Sequence, residues 1–496
     1  MTASALAQAG GVIGGAGLAL LLVARERMLR LAGLGVLAVG MALFLPLLLP
    51  SDLIVVLAAG GGVGALVVAG MAVAFRRYPW SLAFVVMAAA AIRIPVSIGS
   101  TSANLLLPLY VVIAAAAVAL AWSIWRDPPR HELGPLAWPL AALVLWFGLS
   151  GLWTSNVRSA AIFLFFFVLP FGVLTVALAR LPWSSLEARR LFVVAVAIAV
   201  VFALVGIWQW AAHDVFWNQD VVAANAYATF YRVNSVFWDP SMYGRFLVLG
   251  ILAVLTLLLF RTRGGTAIDL GLGAAVVILW IGLLFSFSQS SFVALVLAVL
   301  LAALLAWRWK ALVAVAVLAA VMIPVGVASP QLENVRESLS GSPTATFSEA
   351  TGGRSTLVSV GVRIVRDNPV AGVGLGGFND AYAERVSRRE ALRTTASHTT
   401  PVTVAAETGI VGLALFAWLL GTALFVAFHG STGADTAGRA RLVAGLCLVA
   451  IFVHSLFYSA FFEDPLMWIM LAIATIALPA PPEGVGAGHA PPAEAR

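Results

Sequence analysis

The sequence predicts an all-α polytopic membrane protein with about 14–15 transmembrane helices and one large external loop that carries short helices. Of the 496 residues, 62% are hydrophobic and only 10% are charged, and the mean hydropathy is +1.01. This composition lies far outside that of soluble domains. Apolar stretches recur along nearly the whole chain, most of them long enough to cross about 30 Å of hydrocarbon at about 20 residues each. Since backbone groups inside lipid must bond within their own segment, these stretches are expected to be α-helices.

The apolar stretches divide into fifteen predicted spans, with one more or one fewer allowed. They cover residues 9–24, 31–50, 53–75, 80–98, 104–125, 135–153, 159–179, 191–211, 241–260, 267–285, 290–306, 311–328, 402–428, 442–460 and 465–480. The chain is therefore divided into N-terminal helices (1–130), central helices (131–328) with an external segment at 212–240, a large external loop (329–401), C-terminal helices (402–480) and a disordered cytoplasmic tail (481–496). Residues 1–8 lack the basic start of a secretory signal, so the first stretch is predicted to be a span itself.

The placement of basic residues predicts the orientation. They cluster in alternate loops, and the short loops between them hold little beyond Arg158 and Arg232. The clustered residues are Arg25, Arg27, Arg30, Arg76, Arg77, Arg126, Arg130, Arg180, Arg189, Arg190, Arg261, Arg263, Arg308, Lys310, Arg439 and Arg441. Because cytoplasmic loops collect Lys and Arg, the N-terminus is predicted outside and the C-terminus in the cytoplasm. The net charge of +7 is thus a topology signal and not a nucleic-acid footprint.

The single cysteine excludes a disulfide within the chain and a thiolate metal site. Cys447 lies in a predicted span, where apolar burial favours an inert, structural thiol.

The large external loop carries two motifs. Arg354 lies in the first turn of a predicted surface helix that Asn368-Pro369 ends. A glycine-rich run follows at 369–378, but it lacks the Gly-Lys-Ser/Thr ending of a P-loop. Two interpretations of this run stay open. It is a tight turn packed on the membrane surface, or it supports a diphosphate through its backbone N–H groups.

His398 lies where the large loop meets the span at 402–428. An imidazole titrates near neutral pH and could accept a proton from a sugar hydroxyl as a general base. His454, and for the most part His213, are instead expected to be packing residues.

Three arginines lie at or near the outer ends of spans. Arg93 and Arg245 fall within apparent spans, where a charge usually faces the bundle interior or extends to the headgroups. Arg232 and Arg245 flank one short connection at the mouth of a span. Because a guanidinium binds phosphate oxygens in a bidentate manner, this pair suits a pyrophosphate.

The run from Arg354 through 368–378 to His398 and 407–412 resembles the O-antigen ligase/polymerase-like family, as do the segments 149–153 and 232–240. The resemblance covers about 140–470. It implies a metal-independent, inverting glycosyltransferase without a cofactor in the bacterial plasma membrane. Such an enzyme moves a glycan from an undecaprenyl-pyrophosphate donor to a hydroxyl of a glycan, lipid or protein acceptor on the outer face.

The resemblance also implies roles for individual residues. His398 would be the base or would orient the acceptor, and Glu407 would orient His398 or brace the loop. Arg232 and Arg354 would hold the pyrophosphate.

This chain departs from the family at two positions. Where many relatives carry Ser-Arg, the run 286–291 has Gln289 after Ser288, and Arg245 is the expected substitute for the missing cation. His398 is followed by Thr399 and not by the more common Asn.

A polysaccharide-precursor transporter or flippase is the alternative function. Coupled carriers usually need acidic groups deep in the membrane. Here Asp52, Asp269, Glu463 and Asp464 lie at span boundaries, which favours the enzyme. Ligation and polymerisation cannot be separated, and neither the sugar nor the acceptor can be identified.

Overall fold

Helices make up most of the part of the chain that the structure describes. The computed structural model describes residues 2–49, 51–90, 92, 94–98, 101–128, 130, 132–216, 218–227, 230–260, 265–308, 310, 354–386, 399–429, 431 and 435–476. In chain order the elements are α1 (Ala3–Val23), α2 (Arg27–Leu48), α3 (Ser51–Arg77), α4 (Trp80–Ala89), β1 (Ile94–Ile98), β2 (Thr101–Leu105), α5 (Leu107–Arg126), α6 (Ala137–Ser150), α7 (Val157–Phe163), α8 (Leu169–Ala179), α9 (Ser185–Ala212), α10 (Gln219–Tyr227), α11 (Pro240–Phe260), α12 (Thr266–Ser286), α13 (Gln289–Trp307), α14 (Arg354–Asp367), α15 (Phe378–Ala383), α16 (Thr400–Phe428), α17 (Thr436–Ser455) and α18 (Pro465–Ala474).

Ten of the described helices are long and apolar enough to cross a membrane, and three shorter apolar helices accompany them. One of the ten is a continuous span, Val157–Ala179, in which a π-helical turn at Leu164–Val168 joins α7 to α8. Pro170 follows this turn, and its missing N–H and its ring disturb the regular helical bonding there. The predicted fold class is confirmed. Every predicted span overlaps a helix at least in part except 311–328, which lies outside the described residues, as does the tail 481–496.

The predicted span at 80–98 is wrong in its second half. The helix ends at Ala89, and β1 pairs with β2 in an antiparallel hairpin whose register joins Ile94 to Leu105. Pro95 explains the change, because proline cannot donate a helical hydrogen bond and disfavours the α conformation of the residue before it. The predicted span at 442–460 also ends early, at Ser455, and leaves a loop at 456–464.

Glycines let α1 and α2 approach closely. A Cβ at Gly17 would lie 2.8 Å from the carbonyl oxygen of Gly33, and one at Gly10 would lie 2.8 Å from that of Gly40. Small residues at such positions are how membrane helices associate without a hydrophobic driving force. Helix α1 also packs on α6, and Gln8 donates to the carbonyl of Leu152 at 3.1 Å. This scaffold holds the C-terminal end of α6.

Basic residues of separate connections meet at one end of the bundle. Arg30 and Arg180 both form ion pairs with Glu132, and all three side chains are at most 5% exposed. Arg76 pairs with Asp127 at 3.1 Å nearby. We call this the arginine end.

The opposite end carries the turn at 151–156, the segment 230–239, helices α14 and α15, and the loop at 456–464. We call it the loop end.

Candidate functional site

Helix α16 is interrupted at Gly409. The backbone there has φ 70° and ψ −172°, a combination that is essentially restricted to glycine. The helical part after the interruption, 410–428, extends about 28 Å at 1.5 Å per residue, which is enough to cross the hydrocarbon core. The part before it, 400–408, is therefore a separate short segment at the loop end.

The glycine loop, residues 369–377, fills this break. The N–H of Val373 donates to the carbonyl of Ala406 at 2.9 Å, and the N–H of Gly374 donates to the carbonyl of Glu407 at 2.8 Å. These two carbonyls are among those that lose their helical partners when the helix breaks. The glycine loop thus satisfies backbone groups of a membrane helix.

Two further hydrogen bonds satisfy backbone groups at the break in α16. The N–H of Ile410 donates to the carbonyl of Pro369 at 2.9 Å, and the indole Nε1 of Trp146 donates to the carbonyl of Thr408 at 2.9 Å. An unsatisfied backbone group in an apolar environment is expensive, so a break at this position requires such partners.

The conformation of the glycine loop depends on its glycines. Gly374 has φ 95° and Gly376 has φ 74°, both in the left-handed region. A Cβ at Gly374 would lie 2.6 Å from the nitrogen of Thr154, and one at Gly376 would lie 2.6 Å from the nitrogen of Ala160. The loop is therefore wedged between the turn at 151–156, the start of α7 and the break in α16.

The segment 149–153 contacts the same loop. The carbonyl of Ser150 accepts from the N–H of Leu375 at 3.3 Å, and Trp153 Nε1 donates to the carbonyl of Ala371 at 3.3 Å. Two of the segments that carry the family resemblance in the sequence are thus in direct contact.

The carboxylate of Glu407 braces the glycine loop and the start of α15. Its Oε1 accepts from the N–H of Phe378 at 3.3 Å, and the N–H of Gly376 also donates to this side chain. Helices α14 and α15 pack against the same region through a small apolar cluster that includes Val360, Phe378 and Ala406.

The backbone N–H groups of the glycine loop are already committed. The N–H groups of residues 372, 373, 374 and 375 donate to the carbonyls of Asn368, Ala406, Glu407 and Ser150, respectively. The N–H of Gly376 donates to the side chain of Glu407, and the N–H of Gly377 donates to the carbonyl of Gly374. A diphosphate cradle would need these same donors. The geometry therefore favours the interpretation of this run as a packed turn.

Arg232 lies at the loop end beside the C-terminus of α12. Its Nε donates to the carbonyl of Ser286 at 3.2 Å, and Asn225 binds both its backbone N–H and its carbonyl. Burial lowers the pKa of Arg232 and Asp239 opposes that effect, but an arginine stays charged near neutral pH. Its Nη1 and Nη2 hold no hydrogen bond to a described residue, so they can receive an anion.

Arg245 is placed differently. It is 4% exposed, its Nε lies 2.9 Å from Asp464 Oδ2, and its Nη1 donates to the carbonyl of Ala460 at 3.1 Å. Asp464 also caps α18 by accepting from the N–H of Leu466 at 2.9 Å. This geometry favours a role in holding the 456–464 loop and α18 against α11 over contact with a phosphate.

Serine hydroxyls surround the position where the family's arginine is missing. Ser290 Oγ lies 3.0 Å from His454 Nε2, and Ser288 Oγ lies 2.8 Å from Ser291 Oγ. His454 is fully buried, which fits its interpretation as a packing residue. The hydroxyls of Ser288, Ser290 and Ser291 are thus occupied within the bundle.

Two predicted site residues fall at the edge of what the structure describes. His398 and Arg93 lie outside the described residues. Arg354 begins α14, but its side chain is not among the described ones. Thr399, which follows His398, donates through Oγ1 to the carbonyl of Leu456 at 2.9 Å, so the chain is fixed at this point of the loop end.

A cavity of about 340 Å³ lies at the loop end beside the start of α16. Aromatic rings, hydroxyls and acids line it. These residues include Phe147, Phe163, Phe167, Phe378, Phe462, Ser159, Thr400, Thr403, Thr408, Ser459, Asn379, Glu407 and Glu463. Sequence reasoning identified Glu407 and noted Glu463 only as a boundary acid, because no pattern shows that these distant segments meet.

The comparisons with known proteins agree with the sequence. Residues 274–417 match the family model described as O-antigen ligase. This stretch holds part of α12, all of α13, α14 and α15, the glycine loop, and the break in α16. The resemblance to an O-antigen ligase-like family is confirmed over this stretch. A search of curated proteins finds no match.

Proposed function

We propose, from the O-antigen ligase match over 274–417, that the protein transfers a glycan from an undecaprenyl-pyrophosphate-linked donor to an acceptor hydroxyl at the loop end. The observation that carries the proposal is the docking of the glycine loop in the break of α16. This docking holds Glu407 and the start of α16 at the same end of the bundle as Arg232, and His398 precedes α16 in the sequence.

The proposed step is a single displacement. His398 accepts the proton of the acceptor hydroxyl, and the hydroxyl oxygen attacks the anomeric carbon of the donor sugar. The bond from that carbon to the pyrophosphate oxygen breaks, and the pyrophosphate leaves with the electron pair. Attack from the opposite face inverts the configuration.

Arg232 and Arg354 would stabilise the leaving group. Charge that develops on a diphosphate is best stabilised by donors already in position, and guanidinium groups supply them without a metal or a cofactor. Arg245 would act indirectly, since its guanidinium is held by Asp464 and Ala460. We therefore assign the direct contacts to Arg232 and Arg354.

The loop end would face outward from a bacterial plasma membrane, with the N-terminus outside and the C-terminus in the cytoplasm. The arginine end supports this orientation, because Arg30, Arg76 and Arg180 belong to connections that the positive-inside rule assigns to the cytoplasm.

The transporter alternative draws on one observation, the broken helix α16. Carriers use broken helices to present unpaired backbone groups to a substrate or an ion. Here the carbonyls of Ala406, Glu407 and Thr408 are instead bound by the glycine loop and Trp146. A break that is already filled favours a rigid site over a transport site.

The test is glycan transfer in proteoliposomes with an undecaprenyl-pyrophosphate-linked oligosaccharide extracted from the host. We expect wild type to release undecaprenyl pyrophosphate in the presence of a chelator, and His398→Ala to lose this release. His429→Ala is the matched control, because His429 lies just past the opposite end of α16 and stacks on Phe425. Labelled carrier that crosses the bilayer without any release would instead establish a transporter.

A further inference from the structure

The cavity beside the start of α16 differs in charge from the part of the loop end that holds Arg232. Two acids line it: Glu463, and Glu407, whose pKa is raised to about 7 by burial and, to a lesser extent, by the charge of Glu463. Among the described residues that line it, none is an arginine or a lysine. A pyrophosphate would be repelled here, so this cavity suits a different part of the reaction from the one that Arg232 serves.

A buried hydroxyl in the cavity is left without a partner. Thr400 is 4% exposed, and its Oγ1 has no hydrogen bond to any described residue. The side-chain oxygen of Asn379, which also lines the cavity, is buried and equally unpaired within the described part. Since buried polar atoms are nearly always hydrogen-bonded, these two atoms are available to accept hydrogen bonds from hydroxyl groups of a ligand.

The walls of the cavity supply an apolar surface. Phe147 and Phe462 meet edge to face at 5.3 Å, and Phe163 packs on both rings. The volume of about 340 Å³ lies at the lower end of the range of about 300–1,000 Å³ for small-molecule sites. It therefore suits a compact group such as a sugar ring, which has both an apolar face and a rim of hydroxyls.

The neighbours of Glu463 in the chain are held in place. The carbonyl of Phe462 accepts from the indole Nε1 of Trp468 at 2.8 Å, and Asp464 is fixed by Arg245 and by its cap on α18. The residues on both sides of Glu463 are thus anchored. A specificity-determining side chain needs such support.

We propose that this cavity binds the terminal, uncharged sugar of the acceptor and that Glu463 determines its specificity by accepting hydrogen bonds from the sugar hydroxyls. The proposal rests on the proposed glycan transfer. It divides the loop end into a cationic side for the donor diphosphate and an acidic side for the acceptor.

The test compares variants in the transfer assay. Glu463→Gln removes the charge, Thr400→Val removes one hydroxyl at constant shape, and Glu384→Gln is the matched control. Glu384 is 77% exposed and is not among the residues that line the cavity. We expect Glu463→Gln to raise the KM for acceptor by about tenfold or more, in line with a lost charge-assisted hydrogen bond.

Thr400→Val should raise the same KM by about threefold, because a neutral hydroxyl contributes less. The KM for donor should stay unchanged in both variants, and Glu384→Gln should match wild type. An unchanged acceptor KM in both cavity variants, or a raised donor KM in Glu463→Gln, overturns the proposal.

A binding measurement separates this proposal from the proposed function. Saturation-transfer NMR uses the protein in nanodiscs with methyl glycosides of the neutral sugars of the host's surface polysaccharide, and no donor. A signal in wild type that Glu463→Gln loses supports the cavity even if no transfer is detected. Equal signals in both proteins contradict the cavity assignment, whatever the transfer assay shows.

Discussion

Substitution of Gly409 by alanine should undock the glycine loop from α16. At φ 70° and ψ −172° a non-glycine residue is strained by about 1–3 kcal/mol, and the new Cβ would overlap the carbonyl of Val370. The alternative for the alanine variant is a continuous helix, in which Ile410 donates to Ala406. That helix takes the carbonyl that Val373 now uses.

The strain sets the size of the effect. The strain and the overlap with the carbonyl of Val370 act only on the variant, whereas the three backbone hydrogen bonds between the glycine loop and the broken segment are present in the docked state of both proteins. At the upper end of that strain, the docking equilibrium should shift by about 3 kcal/mol, which corresponds to about two powers of ten.

Hydrogen–deuterium exchange of peptides covering 369–377 measures this directly. Gly409→Ala should lose about a hundredfold in the protection of the amides of Val373 and Gly374. Gly421→Ala is the matched control, because Gly421 lies in the same helix and a Cβ there would meet nothing within 4 Å. Unchanged protection in Gly409→Ala would refute the account of the break, as would an equal loss in Gly421→Ala.

Three further predictions follow from the contacts. If Glu407 only braces the loop, Glu407→Gln should keep both the transfer activity and the protection of the glycine-loop amides from hydrogen exchange. Glu407→Leu should lose that protection. Loss of transfer alone in Glu407→Gln would indicate a role in orienting His398. Glu132→Gln should lower the free energy of unfolding in detergent by about 3–5 kcal/mol, because it leaves two buried arginines without their ion-pair partner. The measurement is the midpoint of thermal unfolding. Asp127→Asn is the control: its ion pair is about one-third exposed, so the free energy of unfolding should change by under about 1 kcal/mol. Arg232→Lys should raise the KM for donor by about tenfold and leave the KM for acceptor unchanged, because a lysine ammonium lacks the planar fork with which a guanidinium binds two phosphate oxygens at once. Equal kinetics in the two proteins would remove Arg232 from the donor site.

The spans could be predicted because their cause is local. An apolar stretch of sufficient length must be helical in lipid whatever its neighbours are, so helices formed where the sequence placed apolar stretches. The hairpin at 94–105 was missed because hydropathy alone does not distinguish it from a helix. Pro95 is the residue in the sequence that disfavours a helix here, although the composition around it is apolar.

The break in α16 could not be predicted from α16 itself. Gly409 and Gly421 lie in the same apolar stretch, yet only the first has a positive φ. The difference is caused by the glycine loop, which occupies the space beside Gly409 and supplies the partners that a broken helix needs. The same limitation hides the cavity, because Ser159, Thr400 and Glu463 come from segments whose contact no local pattern reveals.

The break and the charge distribution together divide the loop end into the two sides that the proposed glycan transfer would need. The N–H groups of the glycine loop donate to carbonyls at the break in α16, so arginine side chains would have to bind an anion here. Arg245 is in turn held in a buried ion pair, whereas the terminal nitrogens of Arg232 bind no described residue. Glu407 bonds to the loop on one side and faces the acidic cavity on the other. One carboxylate thus joins the support of the broken helix to the surface where an uncharged acceptor would lie, and a change that undocks the loop should impair acceptor binding before it affects the donor.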